Sequence, residues 1–274
     1  MRNLLLLSNG GPEGKRLHHA LSWISEHFNA SQESPKTILF VPYALKGKSR
    51  DEVILEITQT LAPLGINLVV APDTVDDPKT LLDGVDGVFV GGGSTPRLLY
   101  SLRKTGLLGA IKEKVEAGMP YMGASAGTLV ACPTIKTTND MPIMNLEDLK
   151  SSDAMGLVPF QINAHYVDGK AYYVDGGELV PHNGETREKR IAQFHEENDT
   201  PVVGIREGAA LRVVGNEVTL LGGKPAKIFE RGKEPVDVAD GQAITALMAM
   251  LESAPGEPVV KLSSVMPRMA DDIK

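Results

Sequence analysis

The segment Met119-Pro120-Tyr121-Met122-Gly123-Ala124-Ser125-Ala126-Gly127 sets a serine between two glycines, after one apolar run and before another at Thr128–Ala131. On a sharp strand-to-helix turn such a serine is lifted away from the sheet and its hydroxyl faces substrate, while Gly123 and Gly127 let the two backbones approach. The chemistry this suits is nucleophilic, with Ser125 attacking a carbonyl beside a helix N-terminus that favours developing negative charge. The pattern is short, and the competing reading is a tight turn of small residues.

An acyl-transfer site also needs donors for the oxyanion. The Ala126 N–H is one candidate. The run Val90-Gly91-Gly92-Gly93-Ser94-Thr95-Pro96 offers another, because the amides of Gly92 and Gly93 can approach a ligand unhindered. Ser94 or Thr95 would then cap a helix carrying Pro96 in its first turn. On spacing alone, a purely structural turn competes equally. Phosphate binding is disfavoured, since neither Gly-x-Gly-x-x-Gly nor a Walker lysine is present.

Of the six histidines, His165 closes the apolar run Leu157–Asn163, at the rim where α/β sites assemble, and is the preferred general base. His182 lies in a long loop and stays a candidate. His18, His19, His27 and His195 ride helices and are expected to be solvated or half-buried. Asp140 and Glu207 are both candidates for the acid that orients the imidazole. The sequence does not decide between them.

These residues need a scaffold with several strand ends at one rim. Apolar runs at Leu4–Ser8, Thr37–Val41, Ile66–Ala71, Val85–Val90 and Pro120–Gly123 read as buried strands. Between them lie helical patterns: Leu17, Ala20, Leu21, Ile24 and Phe28; Val53, Ile54, Ile57, Leu61 and Leu64; then Leu98, Leu99 and Leu102, followed by Ile111 to Val115. Strand–helix alternation of this kind predicts an α/β fold, a mostly parallel sheet with helices on both faces. A further strand is expected at Leu157–Asn163 and a charged helix at Thr186–Glu196. Short antiparallel strands at Val202–Ile205, Ala210–Val214, Val218–Leu221 and Lys227–Glu230 would extend the sheet at one edge. Tyr166–Asn183 reads as a long irregular loop. Residues 1–232 form the expected hydrolytic domain, and 233–274 an extension with a short helix at Ala243–Leu251 and a weakly ordered tail from Pro255.

At 274 residues, with 42% hydrophobic and 23% charged residues, the chain is an ordinary soluble domain. Its net charge of −7 suits no nucleic-acid partner. The lone cysteine, Cys132, allows no intrachain disulfide, and Leu4–Leu7 is too short for a signal-peptide core. No stretch is long enough to span a membrane. A cytoplasmic protein is expected; its oligomeric state, a homodimer included, is left open.

The same motifs resemble peptidase E, the α-aspartyl dipeptidase family of serine peptidases. The resemblance rests on Leu4–Asn9, Pro42, Leu61–Gly65, Val90–Thr95, Gly123–Gly127, Gln161–His165, Gly184–Arg187 and above all the string Ala131–Ile143. It spans Leu4 to Glu230. It implies a class I glutamine-amidotransferase-like α/β fold, hydrolysis of dipeptides with an N-terminal aspartate, and no metal or other cofactor. Ser125 matches the nucleophile and His165 the base. Asp140 and Glu207 both match positions proposed for the acid, with Glu207 favoured to touch His165 and Asp140 to organise the site. Arg187 matches an arginine that would grip the substrate's acidic side chain, a pairing its guanidinium fork suits. The chain departs from the family at Ser94, where asparagine is usual, at Ala164, where proline is usual, and in its long Tyr166–Asn183 loop. Ser94, Thr95 and that loop are expected to line the substrate pocket. A cyanophycinase-like or broader peptidase is the alternative; a non-catalytic binding protein fits the retained Ser125 and His165 less well.

Overall fold

The computed structural model describes residues 1–141, 149–169, 172–181 and 184–249. Pro142, Ile143, His182, Asn183, the end of the expected C-terminal helix (Met250 and Leu251) and the tail from Pro255 lie outside them.

Five parallel strands form the centre of the principal sheet: β1 (Asn3–Leu7), β2 (Lys36–Val41), β3 (Ile66–Val70), β4 (Gly87–Val90) and β5 (Tyr121–Ala124). Their spatial order is β1-β5-β4-β2-β3, each parallel to its neighbours. Successive side chains on a strand point to opposite faces, and here each face has its own core. Leu4 and Leu6 enter one, Leu5 and Leu7 the other; Leu39 and Val41 divide from Ile38 and Phe40 in the same way. A strand buried on both sides has no polar face, so it reads as an unbroken apolar run.

Helices α1 (Leu21–Phe28) and α2 (Lys48–Leu61) cover one face through Ile24, Phe28, Ile57 and Leu61. Helices α3 (Pro78–Asp83), α4 (Thr95–Lys104) and α5 (Leu107–Glu116) cover the other through Leu82, Leu98, Leu102, Ile111 and Val115. The fold is α/β and mostly parallel in its principal sheet. A single turn of helix, α6 (Ala126–Leu129), follows β5.

The second half differs from expectation in three ways. The strand expected at Leu157–Asn163 begins later, as β6 (Gln161–Tyr166). Leu157, Val158 and Phe160 are fully buried outside any strand; Pro159 among them has no N–H to give a ladder. Second, the late strands do not all extend one edge. Strands β10 (Ala210–Val214) and β11 (Glu217–Leu221) do so, antiparallel beside β1. But β9 (Val202–Arg206) and β12 (Ala226–Phe229) leave to build a second sheet with β6 and β13 (Val236–Val238), in the order β13-β12-β9-β6. Within it, β9 runs parallel to β6.

Third, the segment taken as an irregular loop contains a hairpin, β7 (Tyr172–Asp175) and β8 (Glu178–Pro181). Gly176 and Gly177 turn it with φ of 58° and 89°, the positive pair that a tight hairpin turn demands. Helix α7 (Arg187–Glu197) packs on the second sheet through Ile191 and Phe194. Helix α8 (Gln242–Met248) lies on β11, where Thr245 Oγ1 accepts from Val218 N–H at 2.8 Å. The residues that follow β1 and β5 meet the second sheet along one rim, Ser8 and Ser125 bonding to β6 and Ser8 also to β9.

Candidate active site

Ser125 stands between β5 and α6 with φ 53° and ψ −109°, a conformation L-residues rarely adopt. The turn is tight enough to exclude side chains on both flanks. A Cβ on Gly123 would lie 2.6 Å from the Gly127 carbonyl, and one on Gly127 would lie 2.0 Å from the Val90 oxygen. Hydrogen bonds fix what the glycines permit. Ser125 N–H donates to Leu7 O at 3.1 Å. Thr128 Oγ1 is within 2.7 Å of Leu7 O and 2.9 Å of Gly123 O, and Tyr121 Oη donates to Gly127 O at 2.6 Å.

His165 comes from inside β6 rather than from its end. The register with β9 passes from Asn163↔Gly204 to Tyr166↔Arg206, so β6 carries one extra residue, a β-bulge. His165 takes φ 56° there, and such bulges re-aim a side chain. Its ring bridges the other two groups. His165 Nε2 lies 2.8 Å from Ser125 Oγ, and Nδ1 lies 2.8 Å from Glu207 Oε1. An ionised carboxylate only accepts, so Nδ1 carries the proton and Nε2 is left to accept from the serine hydroxyl. Glu207 follows β9 directly. Asp140 is engaged elsewhere: its Oδ2 accepts from Thr95 N–H at 2.9 Å and from Thr95 Oγ1 at 2.5 Å, at the start of α4. The structure brings Glu207 to His165 and gives Asp140 to Thr95.

The three residues open on a cavity of about 820 Å³. Gly92 and Gly93 line it, and a Cβ on Gly92 would come within 3.2 Å of Ser125 Cβ, so this backbone flanks the nucleophile. The Ala126 N–H is the first of α6, with no carbonyl a turn earlier to take it. Thr95 lines the cavity. Ser94, expected beside it, does not line it: its N–H donates to Ala44 O, and its buried Oγ has no partner among the described residues. It holds the N-cap position of α4 without a side-chain cap. The hairpin of the 166–183 segment contributes no described wall residue either.

Arg187, the first residue of α7, reaches the cavity half-buried. Burial pulls its guanidinium below the ordinary value, against the pull of the Asp140, Glu207 and Glu185 carboxylates. Two asparagines that the sequence reading passed over orient it. Arg187 Nη1 donates to Asn139 Oδ1 at 2.8 Å, and Asn163 Nδ2 donates to the same oxygen at 3.0 Å.

Also missed were the residues that hold His165 and Glu207 from behind. Buried Ser8 donates from Oγ to Ile205 O at 2.7 Å and accepts from His165 N–H at 2.9 Å. Asn9 Oδ1 accepts from Gly208 N–H at 3.2 Å, one residue after Glu207. Their signal was a polar pair closing an apolar strand at the functional rim of a parallel sheet.

The remaining groups stay apart from this chemistry. His27, expected near the surface, is 5% exposed; burial, then Arg212, pushes its pKa down to about 3. Cys132 is fully buried and its thiol is pushed up to about 12, which keeps it protonated and unreactive. Among the described residues no group of three or more His, Cys, Asp or Glu is arranged to hold a metal, and no helix is long and apolar enough to cross a membrane.

Comparison with known proteins agrees with this geometry. Peptidase E of Streptomyces coelicolor is 44% identical over 247 residues, covering 90% of this chain and 95% of the relative. A Drosophila melanogaster protein named "Probable alpha-aspartyl dipeptidase" is 40% identical over 249 residues, covering 90% and 98%. The crystal structure of a peptidase from an acI-B1 actinobacterium superposes with a TM-score of 0.64 at 16% identity, over 88% of this chain and 96% of that one, and so shares the fold. Residues 4–221 match peptidase family S51. With that match over most of its length, this chain belongs to peptidase family S51.

Proposed function

We propose that the chain is a serine dipeptidase that hydrolyses dipeptides with an N-terminal aspartate through an acyl-enzyme on Ser125. The observation that carries this reading is the continuous line Glu207–His165–Ser125, with 2.8 Å at each step, in a cavity that also holds Arg187. His165 Nε2 takes the proton of Ser125 Oγ as the oxygen attacks the scissile carbonyl. Negative charge gathers on the carbonyl oxygen and is met by the Ala126 N–H and that of Gly92 or Gly93. His165 then gives its proton to the departing amine, leaving an aspartyl ester on Ser125. Water, deprotonated by His165, hydrolyses the ester and frees aspartate.

Arg187, aligned by Asn139 and Asn163, meets the aspartyl side chain as a guanidinium–carboxylate pair. Asp140, braced on Thr95 in the same half of the cavity, offers a carboxylate to the substrate's free amino group. The name of the Drosophila relative supports the same substrate class. The net charge of −7 supports a small-peptide partner over nucleic acid, and a cytoplasmic location goes with that reading.

Steady-state hydrolysis of Asp-Leu, Glu-Leu, Leu-Leu and N-acetyl-Asp-Leu tests the proposal. Asp-Leu should be preferred over each of the others by about tenfold or more. Equal turnover of Asp-Leu, Glu-Leu and Leu-Leu would remove Arg187 as the selector. Equal turnover of the acetylated peptide would remove the free-amine requirement.

A further inference from the structure

The cavity crosses the C-terminal edge of the principal sheet, and its two halves differ in chemistry. The half beside the second sheet holds Asn139, Asp140, Asn163 and Arg187. The other half lies over Leu17, Phe40, Ile57 and Phe89, buried in the core under α1 and α2, with half-buried Val53 at its surface. Ser125 lies between the halves. When a serine attacks a peptide carbonyl, the acyl residue and the departing residue extend to opposite sides of it. If the Arg187 half takes the aspartyl residue, the departing one enters the apolar half.

Among its described lining residues that half has one cation, Arg16, on the chain that enters α1. Arg16 is half-buried and held from behind: its N–H donates to Glu56 Oε1 at 2.9 Å and its Nε to Glu56 Oε2 at 3.2 Å. Its Nη groups make no hydrogen bond among the described residues, so the fork is left for another acceptor. Arg16 and Arg187 are the arginines of the described wall, one in each half. An Asp-X dipeptide carries two carboxylates, one on the aspartyl side chain and one at its C-terminus.

Building on the dipeptidase reading, we propose that the Arg16 half is the subsite for the departing amino acid. Arg16 takes its free α-carboxylate, while half-buried Val53 meets an apolar side chain. A longer peptide presents an uncharged amide where the carboxylate would be. Arg16 thereby restricts the enzyme to dipeptides without requiring a barrier from the 166–183 hairpin.

Kinetics of the full chain on Asp-Leu, its C-terminal amide and Asp-Gly test this. The wild type should favour Asp-Leu over its amide by about tenfold or more, chiefly through KM, as expected for a charge-assisted pair made on binding. Arg16→Gln should bring the two substrates to within about twofold, and Arg16→Lys should keep part of the preference. Val53→Asp should lower the preference for Asp-Leu over Asp-Gly several-fold. Equal kcat/KM for acid and amide in the wild type, or a preference that survives Arg16→Gln, overturns the proposal. If Arg16→Gln does not fold, the wild-type comparison decides alone. If the wild type cleaves no Asp-X peptide, the dipeptidase reading fails separately. Calorimetric binding of Asp-Leu and its amide to Ser125→Ala then decides the subsite, and equal affinities overturn it.

Discussion

Ser125 and His165 share an uncommon backbone, with φ of 53° and 56°, yet the molecule holds them in opposite ways. The backbone of Ser125 is held largely by its own neighbourhood: Gly123, Gly127 and Thr128 lie within three residues of it, and Leu7 O takes its N–H from a distant strand. His165 is held across the chain by Ser8, 157 positions away, and by a register break against β9. A nucleophile on a local turn can be preserved by a short motif. A base on a bulge between two sheets depends on the packing of both. The end of β1 joins the two arrangements, since Leu7 O receives Ser125, Ser8 receives His165, and Asn9 receives the residue after Glu207.

The local half should be the more brittle. Gly127→Ala would drive a methyl group to 2.0 Å from Val90 O. We expect a destabilisation of about 3 kcal/mol or more and no measurable turnover, by denaturant melts and a peptide assay. A folded, active variant would show that the turn can open.

In the distant half, removing charge from the acid should act on catalysis and leave folding nearly intact. Glu207→Gln is expected to lower kcat on the order of 10²- to 10⁴-fold, because the imidazole loses its orienting acceptor. Asp140→Asn should lower kcat less, since Asp140 lies in the cavity braced on Thr95 and does not touch His165. A larger fall in kcat for Asp140→Asn would reverse the assignment.

Ser8→Ala should give an intermediate result. It leaves a buried N–H and a buried carbonyl without their partner, at a cost of about 1–3 kcal/mol in stability. We expect kcat to drop about tenfold with KM little changed, because His165 loses orientation while the substrate contacts remain. A stability loss with wild-type kcat would make Ser8 a packing residue only.

The smallest effect on activity belongs to His27, which tests stability apart from the site. Its folded pKa of about 3 lies below the ordinary value of 6.5. Between those values the unfolded chain binds a proton that the folded chain refuses. Stability is therefore full above about pH 6.5 and falls as the pH drops towards 3. By pH 4 the loss from this group should be about 3 kcal/mol. His27→Leu should flatten that part of the stability–pH curve in chemical denaturation; an unchanged slope would mean that His27 does not set it.

This contrast also explains what could be read from the sequence. The five central strands, their covering helices and the Ser125 turn are local or periodic, and each was legible from apolar runs, glycines and spacing. Glu207 and His165 were legible as strand-rim residues, and only the family resemblance paired them, because the second sheet arises from β9 and β12 leaving the edge that β10 and β11 extend. No local pattern encodes that choice. The bulge at His165 is equally silent, since an extra residue shows only against its partner strand. Ser94 was expected at the cavity because it stands where the family usually has asparagine, but at the N-cap position of α4 its N–H goes to Ala44 O. Asn139 and Asn163 act through Arg187, a contact set by three separate segments.

The central claim is that Ser125, prepared by His165, attacks the peptide carbonyl. It is tested most directly by comparing hydrolysis of Asp-Leu by the wild type and by Ser125→Ala, with circular dichroism confirming that both are folded. A fall in kcat on the order of 10⁴-fold or more, with substrate binding retained, is expected. Turnover by folded Ser125→Ala at a rate near the wild type's would contradict it.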